Sequence, residues 1–197
     1  VERSVEVERR PVIDPTVRHT RMLDAERGIG YLAILGFSRE TPGEFRRAVE
    51  GLLDRGAKGL VIDLRNNPGG VLSSAVDIAR PFIPSGSIVS TRSRSENVRV
   101  DAEPGQAIWT GLPLVVLVDE RSASASEVLA GALQDHRAAV IVGRPTHGKG
   151  MVQTLSRYPE RRAIAKVTTS HYYTPAERNL ERDPASGRPH GIVPDLE

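Results

Sequence analysis

A hydroxyl becomes a working nucleophile only beside a group that takes its proton, and this chain offers both partners: the serine cluster Ser122-Ala123-Ser124-Ala125-Ser126-Glu127, and Lys149 between Gly148 and Gly150. The cluster follows the apolar run Leu114 to Val118 and precedes a helical pattern, which sets a serine at a helix N-terminus. Free backbone N–H groups and the positive end of the helix dipole favour developing negative charge there. Ser124 to Glu127 also reads as a plain capping box, so the cluster alone does not require catalysis. Lysine is the scarcer signal: arginine fills 24 of the 27 basic positions and lysine only Lys58, Lys149 and Lys166. Guanidinium cannot be deprotonated, whereas a buried ammonium can. A free lysine, with a pKa of about 10.4, is neutral in only about one molecule in a few thousand at pH 7, so a lysine base must be desolvated. Glycines at 148 and 150 permit the close backbone packing that this needs.

Other chemistries fit less well. Gly143 to Lys149 satisfies the first seven positions of a phosphate-binding loop, but Gly150 stands where Ser or Thr would hold magnesium, and a strand-like stretch follows where a helix is required. His136 or His147 would serve as a base with Asp63, Asp119 or Asp135 as orienter, although no spacing fixes such a triad. Neither G-x-S-x-G nor H-E-x-x-H occurs. With no cysteine, thiolate nucleophiles, disulfides and cysteine zinc sites are excluded.

The elements that must position these residues alternate from Gly30 onward. Tyr31 to Leu35 reads as a strand, and Thr41-Pro42-Gly43-Glu44 as a capping box in which Thr41 is the N-cap and Glu44 reaches back to it. Phe45, Ala48, Val49, Leu52 and Leu53 then share a helix face that Gly56 terminates. Leu60 to Leu64 is an apolar run of the doubly buried kind, broken by Asn66-Asn67-Pro68-Gly69-Gly70. A helix is expected over residues 72–80, strands over 87–91, 98–101 and 114–118, a helix over 124–135, and strands over 139–142, 151–156 and 163–173. The order is that of an α/β fold with crossover helices. The three chemistry-bearing loops each follow a buried strand, the end at which α/β sheets gather ligands.

The 197 residues suffice for one domain with its own core. Basic and acidic residues, 27 and 25, are interspersed and aromatic residues are few, so no nucleic-acid footprint appears. No run of about 18 apolar residues marks a membrane span. The start Val1-Glu2-Arg3-Ser4 reads as that of an excised or processed fragment, from which the compartment is not legible.

Five blocks in order resemble the C-terminal processing, or tail-specific, peptidases of the S41 type: Asp63 to Gly70; Ser122 to Glu127 with Gln134-Asp135; Gly148-Lys149-Gly150 with Val152-Gln153; Tyr172-Tyr173-Thr174-Pro175; and Gly191-Ile192-Val193-Pro194-Asp195. The resemblance runs from about Gly28 to the end. It implies a ClpP/crotonase-like ββα superhelix with a mixed sheet, Ser124 as nucleophile, Lys149 as base and Gln153 as the residue that orients it. It further implies an oxyanion hole from the backbone N–H groups of Ala125 and Gly70, with Asp135 as a supporting residue. Residues 1–10 would be the last strand of a preceding PDZ domain, 11–27 a linker and 28–197 the peptidase core. No cofactor, nucleotide or nucleic acid is implied. The implied partner is a protein or peptide with an accessible C-terminus, in the periplasm, cell envelope or thylakoid lumen, and a homo-oligomer or dimer is compatible. His147 stands where the family commonly has phenylalanine, and a histidine there would make activity pH-sensitive. Two other readings fit the fold: a non-catalytic module binding a lipophilic ligand or peptide, and an acyl-CoA enzyme of the crotonase type.

Overall fold

The computed structural model describes residues 14–183 and 190–197 together with Glu8 and Ala185, so the expected PDZ strand over residues 1–10 lies outside the described residues except at Glu8. Two sheets enclose a layer of helices. The first has the order β1 (Val17–Asp24), β2 (Ile29–Ile34), β3 (Gly59–Asp63), β6 (Leu114–Val118), β7 (Val140–Gly143). The second has the order β5 (Asn97–Asp101), β4 (Ser87–Arg92), β9 (Ala163–Tyr173), β8 (Met151–Tyr158). In the first sheet β2, β3, β6 and β7 run parallel and β1 is antiparallel; the second sheet is antiparallel throughout. The mixed α/β architecture expected from the sequence is therefore present.

Val17–Asp24 is a strand and not a linker. It pairs along β2 with two register irregularities, and most of its side chains are exposed. Helix α1 (Thr41–Asp54) buries Phe45, Val49 and Leu52, but its capping differs from expectation. The Glu44 carboxylate accepts the N–H groups of Thr16 (2.8 Å) and Val17 (3.0 Å) and the Thr16 hydroxyl (2.9 Å), which anchors the start of β1. Thr41 Oγ1 accepts the N–H of Ser38. Burial alone would raise the Glu44 pKa, but these donors outweigh it and hold the carboxyl below its ordinary value.

Helix α2 (Leu72–Ala79) packs on α3 (Ala125–Asp135), which also touches β7 of one sheet and β4 of the other. Every residue of α3 from Ala125 to Leu133 is buried, as befits a helix with sheets on both sides. Because β3, β6 and β7 are parallel neighbours, the loops that leave their C-terminal ends emerge together at one edge.

Candidate active site

The turn from β6 into α3 carries the serines, and their burial separates them. Ser122 and Ser126 are fully buried and bind the loop that follows β3: Ser122 Oγ donates to the Leu64 carbonyl (2.8 Å) and Ser126 Oγ to that of Asn67 (3.0 Å). Ser124 alone of the three is partly exposed, directly before the first residue of α3. Its backbone lies at φ 57°, ψ −114°, a region that L-residues rarely adopt and that requires support from the surroundings. A sharp, strained strand-to-helix turn is how α/β-hydrolases lift a serine into reach, and here such a turn arises without the G-x-S-x-G sequence.

Three groups hold this turn, the partly buried Asp119 and the fully buried Asn67 and Glu127. Asp119 Oδ1 accepts the N–H groups of Asn66 (2.9 Å), Arg121 (3.0 Å) and Ser122 (3.0 Å). Asn67, fully buried, donates from Nδ2 to the Ile34 carbonyl (2.7 Å), accepts the Gly69 N–H at Oδ1 (2.9 Å) and takes the Ala123 N–H on its own carbonyl (3.0 Å). Glu127 is the third. Its Oε2 accepts the N–H of Ser124 (2.7 Å) and that of Lys149 (2.9 Å), while Oε1 accepts the N–H of Gly148 (2.7 Å) and the Thr146 hydroxyl (2.6 Å). One fully buried carboxylate thus ties the peptide of Ser124 to that of Lys149. At the sequence level Glu127 is only the end of a capping box. Its return to Ser124 is such a cap, but its hold on residues 146–149 is a long-range contact that local pattern does not encode.

The Asn-Pro-Gly-Gly loop lies against the serine. A Cβ on Gly69 would fall 2.6 Å from the Ala123 carbonyl oxygen and 2.9 Å from both the Ala125 nitrogen and Ser124 Cβ, so only glycine fits there. Gly70 pairs with Phe37 through its neighbours, Phe37 N–H to Gly69 O (3.0 Å) and Val71 N–H to Phe37 O (2.8 Å). The N–H groups of Ala125 and Gly70 have no acceptor among the described residues.

Lys149 occupies the loop before β8. The flanking glycines do the packing expected of them: a Cβ on Gly150 would stand 2.3 Å from the Glu181 nitrogen, and one on Gly148 2.9 Å from His190 Cδ2. The lysine side chain itself is exposed, in contrast to the desolvated amine expected from the sequence, because the close packing is made by the glycine backbones and none of the described residues covers the side chain between them. Gln153 is likewise exposed, and β8 begins at Met151, after Lys149 rather than at it. The register slips between Val152, opposite Ser170, and Gln153, opposite Thr168, with the extra residue Thr169 on β9; because Lys149 precedes β8, strand alternation does not reach it.

Asp135 does not belong to this cluster. It closes α3, eleven residues on from Ser124, about 16 Å along the axis. There it pairs with Arg178 and accepts the Ala176 N–H (2.7 Å). Gln134 binds Val193 O and Asp195 beside it, each at 2.9 Å. Asp63 is engaged by the Tyr31 hydroxyl (2.8 Å) and by Arg65 (2.6 Å). Burial would raise the Asp63 pKa, but the Arg65 guanidinium, the Arg65 N–H and Tyr31 outweigh it and hold the carboxyl low, while burial and the adjoining carboxylate push the Tyr31 phenol up. Asp63, Asp119 and Asp135, the candidate orienters of a histidine base, are thus all committed elsewhere. His136 Nε2 lies 2.6 Å from the Ser87 carbonyl, and His147 is exposed. The phosphate-loop alternative fails at β8, a strand where that loop demands a helix.

A partly exposed serine on a strained turn, N–H groups without acceptors among the described residues, and a lysine on the adjoining loop thus share one edge of the sheet. The chain belongs to peptidase family S41, whose model matches residues 28–197. It is 40% identical to the carboxy-terminal-processing protease of Bartonella bacilliformis over 87% of this chain and 39% of that protein. It is 41% identical to the carboxyl-terminal-processing protease of Synechocystis over 85% of this chain and 37% of that protein. Among solved structures, the photosystem II D1 C-terminal processing protease superposes with a TM-score of 0.80 at 32% identity, covering 94% of this chain and 48% of the other. The chain spans about two-fifths of the length of the curated relatives it matches.

Proposed function

We propose that this chain is the catalytic core of a serine endopeptidase that cleaves near the C-terminus of extended or unfolded proteins. Ser124 attacks the scissile carbonyl while Lys149 takes its proton, and an acyl-enzyme forms on Ser124 as the ammonium returns the proton to the leaving amine. The N–H groups of Ala125 and Gly70 hold the oxyanion, and Gln153 orients the lysine. Water then hydrolyses the ester by the same proton path. The observation that carries this reading is the Glu127 carboxylate, which joins the peptide of Ser124 to that of Lys149 in one buried hydrogen-bond set.

The Lys149 side chain is open to solvent. In this reading substrate lying over the loops excludes water from Lys149, so that the dyad is completed on binding. The relatives named chloroplastic peptidases and the cyanobacterial proteins support an extracytoplasmic site of action; among the described residues no helix is long and apolar enough to cross a membrane. The full-length protein tests the assignment. A serine-directed phosphonate is expected to label Ser124, and Ser124→Ala and Lys149→Ala to abolish peptide cleavage with melting unchanged. Turnover retained in either variant excludes the dyad, and a phosphonate that leaves Ser124 unlabelled excludes the acyl-enzyme.

A further inference from the structure

The hairpin that begins two residues after Lys149 leaves the body of the protein. β9 pairs with β4 only through His171, Tyr172 and Tyr173, and β8 is the outer strand of its sheet. From Thr154 to Tyr158 and from Ala163 to Val167 the two strands therefore have no third strand on either side among the described residues, an arm about 17 Å long. A free two-stranded ribbon is marginal in water, and apolar side chains on it are a liability unless something meets them.

This arm carries such side chains. Leu155 and Ile164 are each 64% exposed, Tyr158 51% and Val167 50%. Between them stand Arg157, Arg161, Arg162 and Lys166, with Glu160 the single acid from Met151 to Thr168. Arginines elsewhere are commonly paired, as are Arg18, Arg27, Arg65, Arg80, Arg92 and Arg178. The four hairpin cations have no ion pair or side-chain hydrogen bond among the described residues. Register interleaves the two kinds. Leu155 faces Lys166 and Arg157 faces Ile164, so one side of the ribbon shows a checkerboard of aliphatic and cationic side chains, with the arginines of the turn at its tip.

We infer that the outer half of the β8–β9 hairpin docks on an anionic lipid surface. Leu155 and Ile164 enter the boundary between headgroups and acyl chains while Arg157, Arg161, Arg162 and Lys166 meet headgroup phosphates, the pairing of apolar area with basic charge that interfacial binding uses. The arm lies in the interface and does not cross it, because its open edges carry unpaired N–H and C=O groups that hydrocarbon cannot satisfy. A second copy is a poor occupant, since strand-to-strand pairing about a twofold axis would set the two basic arms together. Arm residues line neither cavity found among the described residues, whereas a lipid surface demands no complementary shape. None of this depends on the catalytic assignment.

The experiment is sedimentation of the full-length protein with vesicles of phosphatidylcholine alone or mixed with phosphatidylglycerol. Binding is expected only with the anionic vesicles, reversed by salt, and weakened roughly fivefold for each cation removed in Arg157→Gln, Arg161→Gln, Arg162→Gln and Lys166→Gln. Leu155→Ser with Ile164→Ser weakens binding at unchanged charge. All six positions are exposed, so unchanged melting and unchanged cleavage of a soluble peptide accompany these losses. Absence of binding to anionic vesicles, or equal binding by the fourfold glutamine variant, overturns the inference. Polyglutamate that binds the arm more tightly than vesicles do, and loses that binding in the same variant, assigns the surface to an acidic polypeptide and overturns it equally.

Discussion

Replacing Glu127 with glutamine tests whether one buried carboxylate holds the two halves of the site together. The side chain is fully buried and accepts four donors, two on each oxygen. Glutamine keeps one oxygen. If its NH2 replaced Oε2, the N–H groups of Ser124 and Lys149 would both be stranded; if it replaced Oε1, the Thr146 hydroxyl can turn and the Gly148 N–H alone is stranded. The amide therefore settles with NH2 toward Thr146. A buried donor left without an acceptor costs about 1–3 kcal/mol, and loss of charge weakens the remaining bonds, so Glu127→Gln should lose about 2–4 kcal/mol. Alanine strands three N–H groups and should lose more, a large part of the ~5–15 kcal/mol that holds such a domain together. Urea unfolding followed through Trp109, which is packed against Phe45 and Phe82, reads these losses directly. Cleavage of a model peptide should fall partly in the glutamine variant and wholly in the alanine variant. A glutamine variant within about 0.5 kcal/mol of wild type, or an alanine variant with normal turnover, would refute the role given to Glu127.

Further outcomes follow from the same geometry. Asp63 has its folded pKa held below the unfolded value of about 3.9, so it contributes stability above that pH and loses it as pH falls toward the folded value; wild type should exceed Asp63→Asn in urea midpoint at pH 7, by a margin that shrinks below about pH 4. Gly69→Ala places a methyl against Ala125 N and Ser124 Cβ, and the displaced turn should lower kcat by about 100-fold or more, the scale of one lost oxyanion donor, with less effect on KM. Tyr31→Phe removes the hydroxyl bound to Asp63 and should lose about 1 kcal/mol in the same unfolding assay.

Where local pattern carries the structure, the sequence is informative. The run Leu114–Val118 is β6 to the residue, and the three loops expected to hold chemistry share one edge because their strands are parallel. Strand β1 is not legible because Val17-Arg18-His19-Thr20-Arg21 has no apolar alternation: an edge strand lying mostly in solvent needs none. Glu44 was recognisable as a capping residue yet serves β1, and Asp135 was associated with the site by adjacency in a motif although the helix carries it to the other end. The roles of Asn67 and Glu127 were illegible for one reason: each is defined by backbone groups distant in sequence, and backbone groups leave no trace in residue identity. Local pattern leaves the three serines alike; the resemblance singles out Ser124, and the fold adds that it alone of the three is partly exposed.

The conformation of Ser124 bears on how this protein can change. A glycine at 124 would relax the backbone at φ 57° without strain, so a chain shaped by robustness alone would drift to glycine there and lose its hydroxyl. Under the proposed role of Ser124, substitutions that improve endurance and those that preserve turnover pull in opposite directions at this position. Any hardier descendant must gain its resilience elsewhere and leave this one uncomfortable peptide untouched.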